Sequence, residues 1–419
     1  MRSGRLSAQD VPGRQPTIDG SAALADGQLP GRAQGADKTF CAYEHLMKPA
    51  GITRLADITG LDIVGIPVFI GVRPLAKSLV ISVGKGTSRS SARAGALMEA
   101  IECWYAEDIA PDLRQIAFRE LSGAMDPATL PLALDWTGED MSAWRADWVR
   151  GADLRTGQQV WVPFDVVSLD FRCDRLGVPW LARNSNGLAS GNNRAEAVLH
   201  GLSEVVERDA EWRWRAGSDS RRLDLGTVTD TTCRDVIDRI ERAGVQVAAW
   251  DVSSYAGLPC FGCVMLSDPE RDIWGCVGVH DGFACHPHSG AALAAALLEA
   301  AQKRLTYISG SRDDVTRAEL ARASSPDLTR LVRDELESEP ATYHFGWIAT
   351  APPGLDAAAY QQLALDALAQ ADCPPPVVVD VASAPDEPAV VKVIVPGMYG
   401  PHGSCAAPQR VSGPDGSAA

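Results

Sequence analysis

The chain has 419 residues, 46% apolar and 22% charged, the balance of an ordinary globular protein with room for a large core. Its formal net charge of −15 argues against nucleic acid or an anionic membrane as a partner. No apolar run reaches the roughly 18 residues of a spanning helix, and residues 1–38, rich in Gly, Ala and Asp, lack the apolar stretch of a secretory signal and read as a disordered leader.

Ordered sequence is expected from about Thr39. Pro49 to Pro74 carries short apolar runs broken by Gly and Pro, the pattern of strands and turns. Leu79–Val83 reads as a strand, Gly84-Lys85-Gly86 as a turn, and Ser90–Asp108 as a helix. Asp147–Leu169 reads as a hairpin with Thr156-Gly157 in its turn. A polar stretch rich in Asn and Gly, residues 183–193, precedes a helix from Arg194 to Arg215. Strands are expected at Val245–Val252, Cys260–Leu266 and Trp274–His280, then a helix from Gly290 to Ser309. A charged helical segment runs from Arg312 to about Glu337, followed by a helix at Leu355–Ala371 and strands at Val377–Val381 and Val390–Val395. The alternation of helices and strands predicts an α/β (α+β mixed) fold. No composition break divides residues 39–402, and residues 403–419 read as a flexible tail.

One pattern recurs three times. Ala92, Leu97, Glu99 and Glu102 are matched by Ala197, Leu202, Glu204 and Glu207, and again by Ala292, Leu297, Glu299 and Gln302. Gly86 and Arg89 have counterparts in Gly191 and Arg194. Residues i and i+3 share a helix face, so each copy presents a pair of carboxylates, or a carboxylate and an amide. Glu196 lies eleven residues before Glu207, about 20° away around the helix, so the second helix lines up three carboxylates. Clustered carboxylates repel one another and protonate unless a cation compensates. Mg²⁺ takes oxygen ligands from a few carboxylates together with substrate phosphates. Basic residues suited to those phosphates flank the repeats: Lys85, Arg89, Arg194, Arg208 and Arg304. The glycine turns offer backbone N–H groups at helix N-termini. The chain has no Walker lysine motif, kinase signature or dinucleotide fingerprint.

Ten cysteines, eight of them isolated, fit reduced thiols and a cytoplasmic setting. The one CxxC, Cys260 and Cys263, falls on a predicted strand that turns the two thiols to opposite faces. Cys285-His286-Pro287-His288 is a weaker candidate for metal or nucleophile chemistry. His200, Trp212 and Trp214 read as structural.

These blocks resemble the YcaO family. Gly84-Lys-Gly86 through Glu99-Ala-Ile-Glu102 looks like its first motif. Asn186-Gly-Leu-Ala-Ser-Gly-Asn-Asn-Arg-Ala-Glu-Ala197 through Ser203-Glu-Val-Val-Glu-Arg208 looks like its second. Glu299-Ala-Ala-Gln-Lys-Arg304 with Arg312-Asp-Asp314 is similar to the third, and Val395-Pro-Gly-Met398 to the closing motif. The entry segment, Gly51 to Asp62 with Gly65-Ile-Pro67, is also similar, so the resemblance spans residues 39–402. It implies a YcaO-like fold and an enzyme that uses ATP and Mg²⁺ to phosphorylate a backbone amide oxygen of a ribosomally made peptide. A side chain of the peptide then closes an azoline, or sulfide gives a thioamide. By position, Glu99, Glu102, Glu196, Glu204 and Glu207 match the family's metal and ATP carboxylates, and Asn192 its loop asparagine. Gln302 and Arg304 fall in its third block. No side chain is singled out as a catalytic acid, base or nucleophile. Two departures stand out: Gly95 where Ser is common, and Cys103 where Arg is common.

The proline-rich tail frequent in azoline-forming members is absent; the chain ends Pro-Asp-Gly-Ser-Ala-Ala. The short leader holds no precursor-binding domain, so a separate partner is expected, either TfuA-like or precursor-binding, with a homodimer as the assembly. The resemblance therefore points first to thioamide formation and second to azoline cyclodehydration. A non-catalytic peptide-binding scaffold is the rival of another class, and a metal-dependent hydrolase the third reading.

Overall fold

Each copy of the repeat folds as a strand that runs through a short polar turn into a long helix. The structure, a computed structural model, describes residues 30–131, 140–172, 178, 180–267, 278–312, 314–382, 384, 386–398 and 400. Helix α1 (Ala36–Tyr43) precedes β1 (Arg54–Asp57), β2 (Val68–Val72), β3 (Ile81–Lys85) and α2 (Arg89–Glu107). Next come β4 (Leu113–Ala117), β5 (Arg145–Asp153), β6 (Gln159–Pro163), α3 (Phe164–Val167), β7 (Leu188–Gly191) and α4 (Arg194–Arg215). They are followed by β8 (Arg221–Asp224), α5 (Thr231–Arg242), β9 (Gln246–Asp251), β10 (Cys260–Leu266), β11 (Val279–Cys285) and α6 (Ser289–Ser309). The chain closes with α7 (Arg317–Ala323), α8 (Pro326–Ser338), β12 (Tyr343–His344), α9 (Ala357–Gln370), β13 (Val377–Ala382) and β14 (Ala389–Ile394).

The strands form three sheets, ordered β1-β2-β3, β11-β10-β9-β8-β12 and β4-β5-β13-β14-β7, with β6 paired to β5. Helix α4 lies between the second and third sheets, with Val198, Leu202, Val205 and Val206 packed among Val264, Phe283, Val391 and Val393. The Ala-rich helix α6 packs on the other face of the second sheet, where Ala296, Leu297 and Ala300 meet Phe261 and Cys263. Helix α2 presses on the first sheet. A Cβ on Gly84 of β3 would sit 2.1 Å from Ala92 O and Ala96 N, so this contact needs glycine.

The three helices start alike. The N-cap side chains of Ser88, Asn193 and His288, in register through the repeat, accept from the backbone N–H of Ser91, Glu196 and Ala291. Helix α6 stops at Gly310, in the left-handed region at φ 57°.

Several expectations shift. Helix α1 begins at Ala36, and Arg32 to Gln34 already bond to Asn192 and Glu196, so packed chain extends ahead of the expected Thr39. Residues 1–29 and 401–419, including most of the expected leader and tail, lie outside the described residues. The hairpin is β5–β6, but Pro163 ends β6 and α3 follows where a longer strand was expected. The polar stretch of residues 183–193, for which no strand was expected, contains β7, paired with β14 through Leu188↔Lys392 to Gly191↔Ala389. The charged helical segment splits into α7 and α8 because Ser325 caps a new helix with Pro326 at its first position. The strand expected at Trp274–His280 falls largely outside the described residues; the described strand, β11, starts at Val279.

Candidate functional site

Helices α2, α4 and α6 bring their repeat carboxylates within electrostatic reach of one another. Burial pushes Glu99 up to about 7, and Glu204 adds to the rise, while the Val83 N–H, Lys85 and Arg312 pull it back. Burial, then Glu99 and Glu204, raise Glu102 well above the usual carboxylate range. Glu207 is raised well above that range by burial, with Glu299 and Glu204 adding to the rise against Arg208. Glu204 is raised too, chiefly by burial. Glu299 goes the other way: burial raises it, but Lys85, Arg208 and Lys303 together outweigh burial and hold it low.

Hydrogen bonds from β3, from β7 and from the segment that leads into it hold these side chains. Val83 N–H of β3 donates to Glu99 Oε1 at 3.2 Å. The Gly187 backbone, just ahead of β7, bonds Glu204, and Ser190 bonds Glu102. From α6, Gln302 Nε2 donates to Val83 O at 3.3 Å, so one β3 residue ties Glu99 to Gln302. Gln302 Oε1 is buried with no hydrogen-bond partner. A buried acceptor oxygen without a partner, beside raised carboxylates, is a donor set whose chemistry fits a cation.

Lys85 and Arg208 reach the cluster directly. Lys85 Nζ donates to Glu299 Oε2 at 3.1 Å. Arg208 reaches Glu207 Oε1 at 3.5 Å and Glu299 Oε1 at 3.9 Å. Behind it, Lys392, 1% exposed in an otherwise apolar strand, donates to Asn184 O at 2.6 Å. Burial pulls Lys392 down to about 8, and Glu204 and Glu102 support its charge.

The five expected metal carboxylates do not form one cage. Among the described residues, no group of three or more His, Cys, Asp or Glu is arranged to hold a metal ion. The reason for Glu196 is axial: its direction around the helix matches Glu207, but eleven residues of rise put it about 16 Å away along α4. There it makes a second station. Glu196 accepts from Arg32 Nη1 at 2.8 Å, from Ala33 N–H at 3.2 Å and from Asn192 Nδ2 at 3.0 Å. Asn192 Oδ1 accepts from Gln34 Nε2 at 2.6 Å and Thr39 Oγ1 at 2.9 Å. The Glu196 carboxyl is held low overall, with Arg32 and its hydrogen bonds overcoming burial.

Three expected cofactor residues stand apart from both stations. Arg89 opens α2 and pairs with Asp57 of β1 at 2.9 Å, 71% exposed. Arg194 opens α4 and pairs with Asp380 of β13 at 2.7 Å. Arg304, 1% exposed, sits in a two-pronged pair with Asp62 at 2.9 and 3.1 Å, because the i+5 spacing from Glu299 turns it toward the core. Conversely, Glu299, Lys392, Arg32 and Thr39 belong to the stations and were not singled out as ligands from sequence. Glu299 was visible as the repeat's own third-copy carboxylate, and Lys392 as a lone charge in a valine-rich strand.

The weaker candidates resolve into architecture. Cys260 and Cys263 face separate cores, as alternation requires. His288 caps α6, and its backbone N–H donates to His286 Nδ1 at 2.9 Å. His200 is kept neutral, pulled down to about 4 by burial.

A family model described as YcaO cyclodehydratase, ATP- and Mg²⁺-binding, matches residues 83–399. A Rhizobium leguminosarum bv. trifolii protein named for its place in the tfuA 3' region is 37% identical over 68% of this chain and 69% of its own length. An uncharacterised Mycobacterium tuberculosis protein is 34% identical over 68% of this chain, and the match spans 64% of its length, under two thirds. The fold also matches the solved structure of YcaO from Methanopyrus kandleri bound with AMPPCP and Mg²⁺. The TM-score is 0.66 and the identity 25%, over 88% of this chain and 92% of the other. The buried carboxylates, the orphaned Gln302 oxygen and the adjoining Lys85 and Arg208 fit the ATP and Mg²⁺ of that family, and with the match across most of its length the chain belongs to the YcaO family.

Proposed function

We propose that this protein uses ATP and Mg²⁺ to activate a backbone amide of a peptide substrate, and that sulfide then converts the amide to a thioamide with the help of a TfuA-type partner. The observation that carries the reading is the convergence of Glu99, Glu102, Glu204, Glu207 and Glu299 from three helices, with Lys85 and Arg208 set among them. Glu102 and Glu204, within electrostatic reach of each other, would hold Mg²⁺ together with the phosphates of ATP, and the ion would supply charge neutralisation there. Lys85 and Arg208 would bind those phosphates, and Asn192 with Glu196 would hold the far end of the nucleotide. An amide oxygen is a poor leaving group. Transfer of the terminal phosphoryl of ATP to it gives ADP and a good leaving group. Attack by sulfide at the amide carbon then expels phosphate and leaves C=S.

The thioamide product and the partner rest on the Rhizobium relative, whose name ties it to a tfuA region. Azoline formation is the second reading, favoured by the cyclodehydratase in the family description. A non-catalytic scaffold is disfavoured, because a scaffold has no use for buried carboxylates that burial and one another hold above their ordinary pKa. Mass spectrometry of a candidate peptide after incubation with the protein, ATP, Mg²⁺ and sulfide decides among them. Exchange of one oxygen for sulfur supports the proposal, loss of one water supports the azoline reading, and an unchanged peptide with no ATP consumed overturns both.

A further inference from the structure

Arg208 is held from behind by a carboxylate outside the repeat. Its Nη1 donates to Glu211 Oε2 at 3.0 Å, closer than either Glu207 or Glu299. Glu211 divides its two oxygens, since Oε1 accepts from Arg215 Nε at 3.0 Å and Nη2 at 2.8 Å. The spacing on α4 makes this possible: Glu211 lies one turn after Arg208 and one turn before Arg215. Arg215 also pairs with Asp281 of β11, and Asp281 pairs in turn with Lys303 of α6. The Arg215 guanidinium lies over the Phe283 ring, 5.4 Å from its centroid.

Charges therefore alternate from Arg208 through Glu211, Arg215 and Asp281 to Lys303. The acidic members are shielded, with Glu211 14% and Asp281 20% exposed, so solvent screens the chain weakly. Arg215 and Lys303 outweigh burial and hold the Asp281 carboxyl far below its ordinary range. An arginine drawn only by Glu207 and Glu299 would collapse onto those carboxylates. A third carboxylate, Glu211, tied through Arg215, Asp281 and Lys303 to β11 and α6, holds its guanidinium off them. We infer that Glu211 is a positioning residue, which sets Arg208 where it meets the phosphates of ATP and ties that position to the third repeat copy through Arg215, Asp281 and Lys303. The inference rests on the ATP reading proposed above.

Calorimetric titration of AMPPCP with Mg²⁺ into the full chain tests it without requiring turnover. Glu211→Gln is expected to weaken binding roughly tenfold, and Asp281→Asn about threefold, because it acts one link further away. The double variant should match Glu211→Gln alone, since both break one chain. Glu211→Asp, which keeps the charge, should recover affinity to within about threefold of the unaltered protein. Asp238→Asn, at an exposed pair with Arg234 on α5, should bind normally. If Glu211→Gln fails to fold, Asp281→Asn and Glu211→Asp carry the test. Unaltered binding by folded Glu211→Gln overturns the positioning role alone. Failure of the unaltered protein to bind the nucleotide overturns the ATP reading, and this inference with it.

Discussion

Lys85 Nζ lies 3.1 Å from Glu299 Oε2, joining the end of β3 in the first repeat copy to the middle of α6 in the third. With Arg208 and Lys303, this contact overcomes burial and holds Glu299 below its ordinary pKa, while Glu99, Glu102, Glu204 and Glu207 are raised. It also leaves Lys85 28% exposed, so its charge stays accessible from the open side of the cluster.

Lys85→Met should therefore weaken binding of Mg²⁺ with AMPPCP by about tenfold and lower the melting temperature only modestly, since Arg208 and Lys303 still compensate Glu299. Calorimetry gives the affinity. Affinity within twofold of the unaltered protein would remove Lys85 from the phosphate site.

Glu204→Gln should cut peptide-dependent phosphate release from ATP by at least about a hundredfold. The same change should not destabilise the fold. Burial outweighs the attraction of Arg208 and Lys392 in raising Glu204, so the uncharged amide escapes that penalty and can still accept from Gly187. Phosphate release and thermal melting are read on one sample; full activity would end the metal assignment.

Arg304 and Asp62 form a pair with both side chains 1% exposed. Removing one partner leaves a buried charge without its counter-ion, so Asp62→Asn should cost about 3–5 kcal/mol of stability. Urea unfolding measures that cost. Nucleotide affinity of the folded fraction should stay as before, which separates this structural role from that of Lys85.

Burial pulls His200 down to about 4, and His280 and His286 each to about 3. Their folded-state values lie below the unfolded one of about 6.5, so the stability from keeping them neutral is complete above that pH. It is lost as pH falls from about 6.5 toward their folded values, because the unfolded chain takes up the protons first. Glu99 works in the opposite sense, losing stability as pH rises from about 4.5 through about 7. The difference between the unaltered protein and His280→Leu isolates the histidine effect. Melting temperatures at pH 7 and pH 5 should diverge, with the variant falling less on acidification, and parallel curves would refute the assignment.

The repeat was legible because helical spacing is a local property. The register of Ala92, Ala197 and Ala292 placed α2, α4 and α6 within a residue of their observed starts, and the i, i+3 rule set each pair on one face. Strand β7 was not legible, because Leu188–Gly191 has no alternation of its own and is strand only through its pairing with β14. Lys85 and Arg208 were legible as cations near repeat helices. Arg89, Arg194 and Arg304 share that signal, yet each is claimed by a distant aspartate: Asp57, Asp380 and Asp62. Charge type is written in the sequence; the partner that satisfies it is not.

The sequence by itself determined three related helices and a set of carboxylates that must either repel one another or meet a cation. Only the tertiary structure decided which of those carboxylates meet. Rise along α4 separates Glu196 from Glu207 despite their common direction, and packing of α6 against the second sheet carries Glu299 to Lys85. Position around a helix follows from spacing along the chain, whereas distances between helices follow from how their apolar backs pack.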